Sequence, residues 1–369
     1  MYDSYKKLQY KSKTSEDYKE TLNKRISNLV EIPLLGKDTQ YLKILNPNVP
    51  YMKLLIHQIN EEYNEVNIAT KTNYIEEEAF STCVIEGART TIADTLRIAK
   101  GSTPRNKSEQ MVFNSIRGIN LIKSLDLKSW NIEQGILDIW RIITTNAMDN
   151  SELCGNKYRA GQVYVLDAFQ KIRFTPPAYT EIQWRMDSLF DFIKNTEIHP
   201  LIAAIIVHYY FVYIHPFCDG NGRMARLLIT QYLVKNGYDK FGYISLTTEV
   251  FKNSKGYYES LENSENAYND ITFFILYYLG IMYKALINAN KGFGAKLEDT
   301  QDNLNKRQVK CVRYLKENPA NFITQTKYCD VYKVIKPIAQ KELNELVDYR
   351  LLHKEKHVNM IYKWWEFEI

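Results

Sequence analysis

The chain has 369 residues, of which 45% are apolar and 25% charged, so it can form two or three domains with buried cores. A net charge of +5 is too small for a polycation that coats nucleic acid. No window approaches about eighteen consecutive apolar residues, and the first residues lack the apolar run of a secretory signal. We therefore expect a globular cytoplasmic protein that does not enter a membrane.

The cysteine pattern supports the same expectation. The cysteines are odd in number and far apart, and they form no CxxC pair: Cys83, Cys154, Cys218, Cys311 and Cys329. Disulfides are rare in cytoplasmic proteins. The sequence therefore predicts neither a disulfide framework nor a zinc ribbon.

Helical periodicity dominates the first part of the chain. Apolar residues recur at spacings of three and four, as in residues 54–63, and alternation with a period of two is scarce. The stretch from Asn73 to Glu76 resembles a capping box that begins a helix. Gly87 can end that helix in the left-handed conformation. We expect a mostly helical fold, with one helix at about 73–87.

One segment has the alternation of paired strands instead. Residues 162–175, QVYVLDAFQKIRFT, have two arms of alternating apolar residues on either side of a short polar turn. Pro176 and Pro177 end the second arm. The pattern predicts a β-hairpin.

A linker is predicted at residues 288–296, where Asn, Gly and Lys interrupt the helical pattern. After it the periodicity predicts helices at 304–317, near Lys327 and at 336–349, followed by a segment at 351–365 that can form a wing. This order is typical of a winged helix-turn-helix. Such a module binds DNA in many proteins and docks or dimerises proteins in others.

The sequence leaves both uses of this module open. Residues 301–369 contain 13 Lys and Arg against 9 Asp and Glu, so nearly all of the excess positive charge lies there. The third of these helices offers Gln340, Lys341 and Asn344 for contacts to bases. A solvated helical domain would have the same charge.

The chemistry is concentrated in residues 215–226, HPFCDGNGRMAR, which follow an apolar helix and precede a new one. Backbone N–H groups at the start of the new helix, with the positive end of its dipole, form an anion site. Gly220 and Gly222 lack side chains, so a phosphate can approach the backbone. Arg223 and Arg226 add two guanidinium groups within one turn, which suits the remaining oxygens of a polyphosphate.

Two further residues complete a site for group transfer. Asp219 is a candidate ligand for Mg²⁺, which binds proteins through one or two carboxylates together with phosphates. His215, with an unperturbed pKa of about 6.5, can take a proton from an incoming hydroxyl near neutral pH. The segment thus combines a base, a metal ligand and a polyphosphate site.

Residues 215–226 resemble the Fic signature, HPFx(D/E)GNGRxxR, and match it at every specified position. The resemblance covers roughly residues 70–285 and, more loosely, the C-terminal module. It implies a mainly α fold, with a Fic-type helical core, a β-hairpin flap at 162–175 and a C-terminal winged helix-turn-helix domain. The expected boundaries are 1–105 for an N-terminal helical region, 106–290 for the catalytic core and 300–369 for the winged-helix domain.

The resemblance also implies a role for each site residue. His215 would be the base, Asp219 would bind Mg²⁺ and Phe217 would anchor the loop. The residues that contact the phosphates would be Gly220, Asn221, Gly222, Arg223 and Arg226. Tyr257 and Tyr258 would lie near the adenine. Arg226 would hold the γ-phosphate and Arg223 the inner ones. For at least one of the two tyrosines, packing on the core is an equal alternative. The flap would add a strand to a target protein and hold its hydroxyl beside His215.

A second motif lies upstream. Residues 82–87, TCVIEG, resemble the Fic inhibitory motif, (S/T)xxxE(G/N), with Thr82, Glu86 and Gly87 at its specified positions. By that resemblance the Glu86 carboxylate forms a salt bridge with Arg226, takes the place of the γ-phosphate and holds ATP in an unproductive pose.

The resemblance implies a protein adenylyltransferase that transfers AMP from ATP, with Mg²⁺, to a hydroxyl side chain of a target protein. Two alternatives stay open. The same residues could remove AMP from a modified protein, with Glu86 aligning a water, or the chain could be a DNA-binding regulator that acts through the winged helix. The sequence does not identify the target, nor does it tell whether a homo-oligomer forms and relieves the inhibition.

Overall fold

The computed structural model describes residues 5–12, 14–66, 68, 73–148, 154–166, 172–265, 268–290, 305–317, 322–348, 352–356 and 360–364. The chain divides into two compact units, residues 1–290 and residues 291–369. The predicted linker at 288–296 extends beyond Asn290 into residues outside the described set.

The first unit begins with two helices and a β-hairpin. These elements are α1 at Tyr5–Lys11, α2 at Ser15–Ile26, β1 at Leu29–Leu35 and β2 at Tyr41–Leu45, and the two strands pair antiparallel. Asp270 is fully buried and accepts hydrogen bonds from Tyr5 Oη at 3.0 Å and Arg25 Nη2 at 3.2 Å. This buried carboxylate therefore holds both N-terminal helices to the body of the unit.

The remaining helices of the first unit follow in chain order. They are α3 at Pro50–Glu65, α4 at Tyr74–Ile85, α5 at Ile92–Ala99, α6 at Lys107–Ile122, α7 at Ile132–Thr144, α8 at Ile182–Asn195, α9 at Pro200–Ile214, α10 at Asn221–Lys235, α11 at Leu246–Lys252, α12 at Ser254–Glu265 and α13 at Thr272–Asn290. Between α7 and α8 lie β3 at Val165–Leu166 and β4 at Ile172–Phe174, which pair antiparallel. These strands are the two arms of the flap. Residues 167–171 between them lie outside the described set.

Helix α9 is the centre of the core. Its sequence, PLIAAIIVHYYFVYI, is apolar on every face, and nearly all of its side chains are buried. A helix of this kind is stable only when neighbours cover it on all sides. Helices α8, α10 and α13 pack against it. The core therefore fixes the end of α9, where the segment 215–226 begins.

Helix α13 is long and apolar enough to cross a membrane by length and composition alone. Within the fold, however, 56% of this window is buried, and α13 packs against α3, α9, α11 and α12. Such burial is typical of the core helix of a globular unit.

Helix α4 corresponds to the helix predicted at 73–87. It ends before Gly87, whose φ of 84° is the left-handed conformation expected there. At its other end Asn73 makes no capping hydrogen bond through its side chain, and its φ of −112° and ψ of 22° lie outside the extended region usual for a capping residue. The prediction of a capping box is therefore wrong, although the helix begins where the pattern indicates.

The second unit has its own helices, sheet and core. Its elements are α14 at Lys306–Glu317, β5 at Phe322–Thr324, α15 at Gln325–Tyr332, α16 at Lys336–Asp348, β6 at Leu352–Lys356 and β7 at Met360–Trp364. Strand β7 lies between β5 and β6 and is antiparallel to both. Leu315, Tyr328 and Leu343 belong to a core confined to this unit. The mainly helical fold predicted from the periodicity is confirmed.

Because each unit has its own hydrophobic core, we expect a chain that ends at Asn290 to fold without the second unit. Circular dichroism should show a cooperative thermal transition, with a midpoint within about 5 °C of the corresponding transition of the full chain. A broad transition without cooperativity would mean that residues 291–369 are needed to complete the first core.

Candidate active site

The site lies where α9 ends and α10 begins. The His215 amide donates to Phe211 O at 3.0 Å, and His215 itself has a φ of 52°, a left-handed conformation that residues other than Gly rarely adopt. Gly220 precedes α10 with a φ of 82°. The two left-handed positions reverse the chain sharply. Residues 215–220, which we call the loop, therefore bring His215 close to the first turn of α10.

Aromatic packing holds this loop from inside. The Phe217 ring is fully buried and stacks on Trp140 of α7, with centroids 4.5 Å apart and planes 10° apart. Trp140 Nε1 also donates to Asp219 O at 2.9 Å. Trp140 is a functional residue that sequence reasoning missed, and no local pattern relates it to the loop.

The Asn221 side chain also supports the loop. Its Oδ1 accepts from Phe217 N and its Nδ2 donates to Phe217 O, both at 2.9 Å. Asn221 is 2% exposed. The sequence resemblance gave this residue a phosphate contact, but in the structure its side chain binds the loop backbone. Any contact with phosphate from Asn221 therefore has to come from its backbone N–H.

The first turn of α10 has the form of an anion site. Its first backbone hydrogen bond runs from Met224 N to Gly220 O at 2.9 Å, so the preceding amides have no partner within the helix. A Cβ at Gly220 would lie 2.8 Å from Thr144 Cγ2. A Cβ at Gly222 would overlap Glu86 Oε1. The absence of a side chain at Gly222 therefore leaves room for the Glu86 carboxylate beside this turn.

Arg226 is buried and paired with the predicted inhibitory motif. Its Nε donates to Thr82 Oγ1 at 2.8 Å, and its Nη2 donates to Glu86 Oε1 at 2.6 Å and to Thr82 O at 3.3 Å. The Arg226 side chain is 2% exposed and that of Glu86 28%. The structure thus brings together the two motifs that are far apart in the sequence.

Mutual charge stabilisation dominates this pair. Burial alone would raise the pKa of the Glu86 carboxyl, but the Arg226 guanidinium holds it below its ordinary value. Burial alone would likewise lower the pKa of Arg226, but the Glu86 charge raises it. Both groups are therefore charged over the physiological pH range.

Arg223 lies on the other side of the same turn. Its Nη1 donates to Ile143 O at 2.7 Å, and its Nη2 lies 3.3 Å from Asp219 Oδ1. Its Nε is buried and has no hydrogen-bond partner among the described residues. A buried donor without a partner costs about 1–3 kcal/mol. An anion bound at this turn would satisfy it.

Asp219 and His215 complete the polar surface of the loop. Asp219 Oδ1 also accepts from the Gly220 amide, and its side chain is 25% exposed. His215 Nδ1 lies 3.2 Å from Val212 O, which can only accept, so this nitrogen carries a proton. Nε2 is then the basic nitrogen of the neutral ring. Burial lowers the pKa of His215 to about 4, so the ring is neutral and able to accept a proton at pH 7.

The two tyrosines assigned to the adenine lie in different environments. Tyr257 is 3% exposed, and its Oη hydrogen-bonds with His208 Nε2 at 3.0 Å inside the core. Tyr258 is 50% exposed, and its ring centroid lies 5.2 Å from that of Tyr257. Tyr257 is therefore a core residue, as one of the two alternatives allowed, and Tyr258 alone offers a face to a base.

The structure also contains a disulfide between Cys154 and Cys218, with Cα atoms 5.3 Å apart. The expectation that the cysteines form no disulfide is wrong for this pair. The two residues are 64 positions apart, and only the fold brings the segment before the flap against the loop. The other three cysteines are free.

The disulfide leads to a prediction by thiol counting. When the denatured protein is alkylated without a reductant, mass spectrometry should find three modified cysteines, and with a reductant five. Modification of Cys154 and Cys218 without reductant would contradict the pairing.

The pKa of His215 leads to a second prediction. Because burial places this pKa at about 4, the ring should stay neutral in an NMR titration down to about pH 5, whereas in urea the same signal should titrate near 6.5. The Glu86 carboxylate raises this pKa, so Glu86→Gly should lower the midpoint further. A native midpoint above 6 would contradict this environment.

Comparison with known proteins identifies this arrangement. Residues 132–233, from the start of α7 to the last turn of α10, match the model of the Fic/DOC family. Protein adenylyltransferase Fic of Nematostella vectensis is 32% identical over 163 residues, or 42% of this chain and 36% of that protein. Protein adenylyltransferase fic-1 of Caenorhabditis elegans is 28% identical over 199 residues, or 50% of this chain and 37% of that protein.

The chain therefore spans little more than a third of the length of these curated relatives. A solved structure of a Fic family protein from Desulfovibrio desulfuricans has a TM-score of 0.58 at 20% identity and covers 87% of this chain and 98% of its own. This likeness shows the shared fold. By sequence, residues 132–233 match the Fic/DOC family, and this stretch contains α7, α8, α9, most of α10 and the loop that form the site.

Proposed function

We propose that this protein is a protein adenylyltransferase that transfers AMP from ATP to a hydroxyl group of a target protein, and that Glu86 inhibits it in the resting state. One observation carries this proposal. Arg226 of α10 is buried and pairs with the chain's own carboxylate, Glu86, which lies over Gly222 at the anion site. His215, whose ring is neutral, lies in the loop just before the same helix. The curated relatives named above are protein adenylyltransferases, which supports the reaction type.

The triphosphate of ATP fits the first turn of α10. The amides of Asn221 and Gly222 would bind inner phosphates, and the unsatisfied Nε of Arg223 would donate to the same group, whereas the Gly220 amide donates to Asp219 Oδ1. Arg226 would hold the γ-phosphate once Glu86 moves away. Tyr258, the exposed tyrosine, would contact the adenine.

Mg²⁺ fits the same site. Asp219 offers a partly exposed carboxylate next to the proposed phosphates, and Mg²⁺ commonly binds through one or two carboxylates plus phosphate oxygens. When bound, the ion would neutralise charge on the phosphates.

In the proposed reaction the target hydroxyl attacks the α-phosphorus of ATP. A bond forms between the hydroxyl oxygen and this phosphorus, and the bond from the α-phosphorus to the bridging oxygen breaks, so pyrophosphate leaves. His215 Nε2 accepts the hydroxyl proton. The Nδ1–H bond to Val212 O keeps Nε2 as the basic nitrogen throughout.

The flap would present the target hydroxyl. Its strands pair only with each other in the described part of the chain, and Ile172 and Tyr164 are 58% and 51% exposed. An extended segment of a target could add a strand to such an edge, with its side chains on these exposed residues. The proposed partner is therefore a protein with an accessible extended segment.

The reverse activity, removal of AMP from a modified protein, uses the same residues. In that case Glu86, freed from Arg226, would align a water for attack on the phosphorus. The two activities differ in the expected effect of removing Glu86, which would raise AMP transfer and abolish AMP removal.

For the second unit we propose a winged helix that docks a protein. Three aliphatic side chains near the turn between α15 and α16 are exposed, namely Val331, Ile335 and Ile338. Two of the three residues considered for base contacts pair with each other, since Gln340 Nε2 donates to Asn344 Oδ1 at 3.0 Å. The exposed aliphatic side chains favour a protein partner over DNA.

Replacement of Glu86 by Gly tests the proposed function. Without the carboxylate, Arg226 can hold the γ-phosphate and orient the α-phosphorus for attack, so labelling of protein by ATP labelled at the α-phosphate should rise on the order of tens-fold or more. Glu86 lies at the end of α4, where the lower helix propensity of Gly costs about 1 kcal/mol at most, and the loss of the ion pair with buried Arg226 adds to this cost. Equal labelling by wild type and Glu86→Gly would contradict the inhibitory role.

Two controls sharpen this measurement. Glu77→Gly makes the same substitution earlier in α4 and should leave labelling at the wild-type level. Adding His215→Ala to Glu86→Gly should abolish labelling. Because Glu86→Gly leaves a buried Arg226 unpaired, ATP should also raise its melting temperature more than that of the wild type.

A further inference from the structure

Arg159 is a buried arginine that the proposed reaction does not use. It is 3% exposed and lies just before the flap. Its Nε donates to His215 O at 2.8 Å, and its backbone N–H donates to Pro216 O at 2.9 Å. These two bonds join the segment before the flap to the residues that begin the catalytic loop.

The other side of the guanidinium reaches both ends of the flap. Nη1 donates to Gly161 O at 2.9 Å, just before the first arm, and Nη2 donates to Pro177 O at 2.5 Å, just after the second. The planar guanidinium has five donors in a fixed geometry, which allows it to join several carbonyl groups at once. One side chain thus connects His215 with the two ends of the flap.

The charge of Arg159 is held by carbonyl dipoles. The hydrogen bonds of its side chain go to backbone oxygens, including Ile214 O at 3.5 Å and His215 O at the C-terminal end of α9. This end carries the negative pole of the helix dipole, which stabilises a cation. Burial lowers the pKa of Arg159 to about 10, so it remains charged at neutral pH.

The contacts of Arg159 hold a residue with an unusual backbone conformation, His215. His215 has a left-handed backbone, which persists only when surrounding contacts hold it. We propose that Arg159 is a positioning residue that fixes the backbone of His215 relative to both ends of the flap. The proposal rests on the proposed function, since it places the base and the docked hydroxyl in one geometry.

The segment that carries Arg159 is itself held on α7. Glu133 accepts from Tyr158 Oη at 2.6 Å, and Lys157 Nζ lies 2.6 Å from the other carboxylate oxygen. Arg159 therefore connects a segment held on α7 to the loop and to both ends of the flap. The consequence for catalysis follows from geometry, because a displacement of about 1 Å between reacting groups can lower a rate about 100-fold.

The test uses Arg159→Met and Arg159→Lys in the full chain, with Arg25→Met as the matched control. The Arg25 side chain is 8% exposed and contacts Asp270, Tyr5 and Phe273, none of which belongs to residues 212–219 or to the flap. Hydrogen exchange by mass spectrometry is measured in dithiothreitol, because the Cys154–Cys218 disulfide tethers the same loop. Exchange should rise both at 212–219 and at the described ends of the flap in Arg159→Met. It should not rise there in Arg25→Met.

This readout does not depend on any activity. Unchanged exchange in both regions of Arg159→Met, or equal changes in the control, would overturn the proposal. Should Arg159→Met fail to fold, Arg159→Lys decides in its place, since Lys keeps the charge but cannot join the same carbonyls. It should show increased exchange in the same two regions.

Kinetics in the Glu86→Gly background give the functional arm. Arg159→Met should lower kcat for transfer about 100-fold while the Kd for ATP changes less than about threefold, because the phosphate site lies on α10. Arg159→Lys should retain more of the rate. If Arg159→Met kept the kcat of its Glu86→Gly parent, the proposal would be overturned. An inactive Glu86→Gly parent would count against the proposed function, and the exchange experiment would then decide the role of Arg159.

Discussion

The ion pair between Arg226 and Glu86 is the interaction on which the rest of the site depends. Arg226 is buried in the fold, and a buried charge of this kind has to be paired. Its partner comes from the end of α4 and passes over Gly222, where any side chain would overlap the carboxylate. One guanidinium cannot hold a carboxylate and a phosphate in the same place. An anionic ligand that binds Arg226 therefore has to displace the Glu86 carboxylate.

The burial of α9 gives this arrangement its rigidity. Because the helix is covered on all sides, the loop that follows it starts from a fixed point, and the stacking of Phe217 on Trp140 fixes its middle. His215 can then adopt a left-handed backbone conformation that an isolated loop would not keep. Asn221 adds two hydrogen bonds to the same loop. The phosphate site is thus formed largely by backbone groups, whose positions do not depend on flexible side chains.

Three parts of the first unit meet at this loop. Helix α4 supplies the Glu86 carboxylate, α10 supplies the anion site, and the segment before the flap supplies Arg159 and Cys154. The disulfide and the Arg159 hydrogen bonds both connect the loop to that segment. The flap and His215 are therefore joined by direct contacts in this fold. The second unit has a separate core, which leaves its helices and sheet free to serve a different purpose.

The sequence by itself determined the helical class, the two arms of the flap and the functional groups that residues 215–226 offer, because periodicity and a dense motif are properties of neighbouring residues. Its resemblance to a known signature also related Glu86 to Arg226. Only the tertiary structure decided which way side chains face and what they contact. It placed Tyr257 in the core, turned Asn221 onto the loop backbone and joined Cys154 to Cys218. Those outcomes depend on packing between segments far apart in the chain, and no local pattern of residues records such contacts.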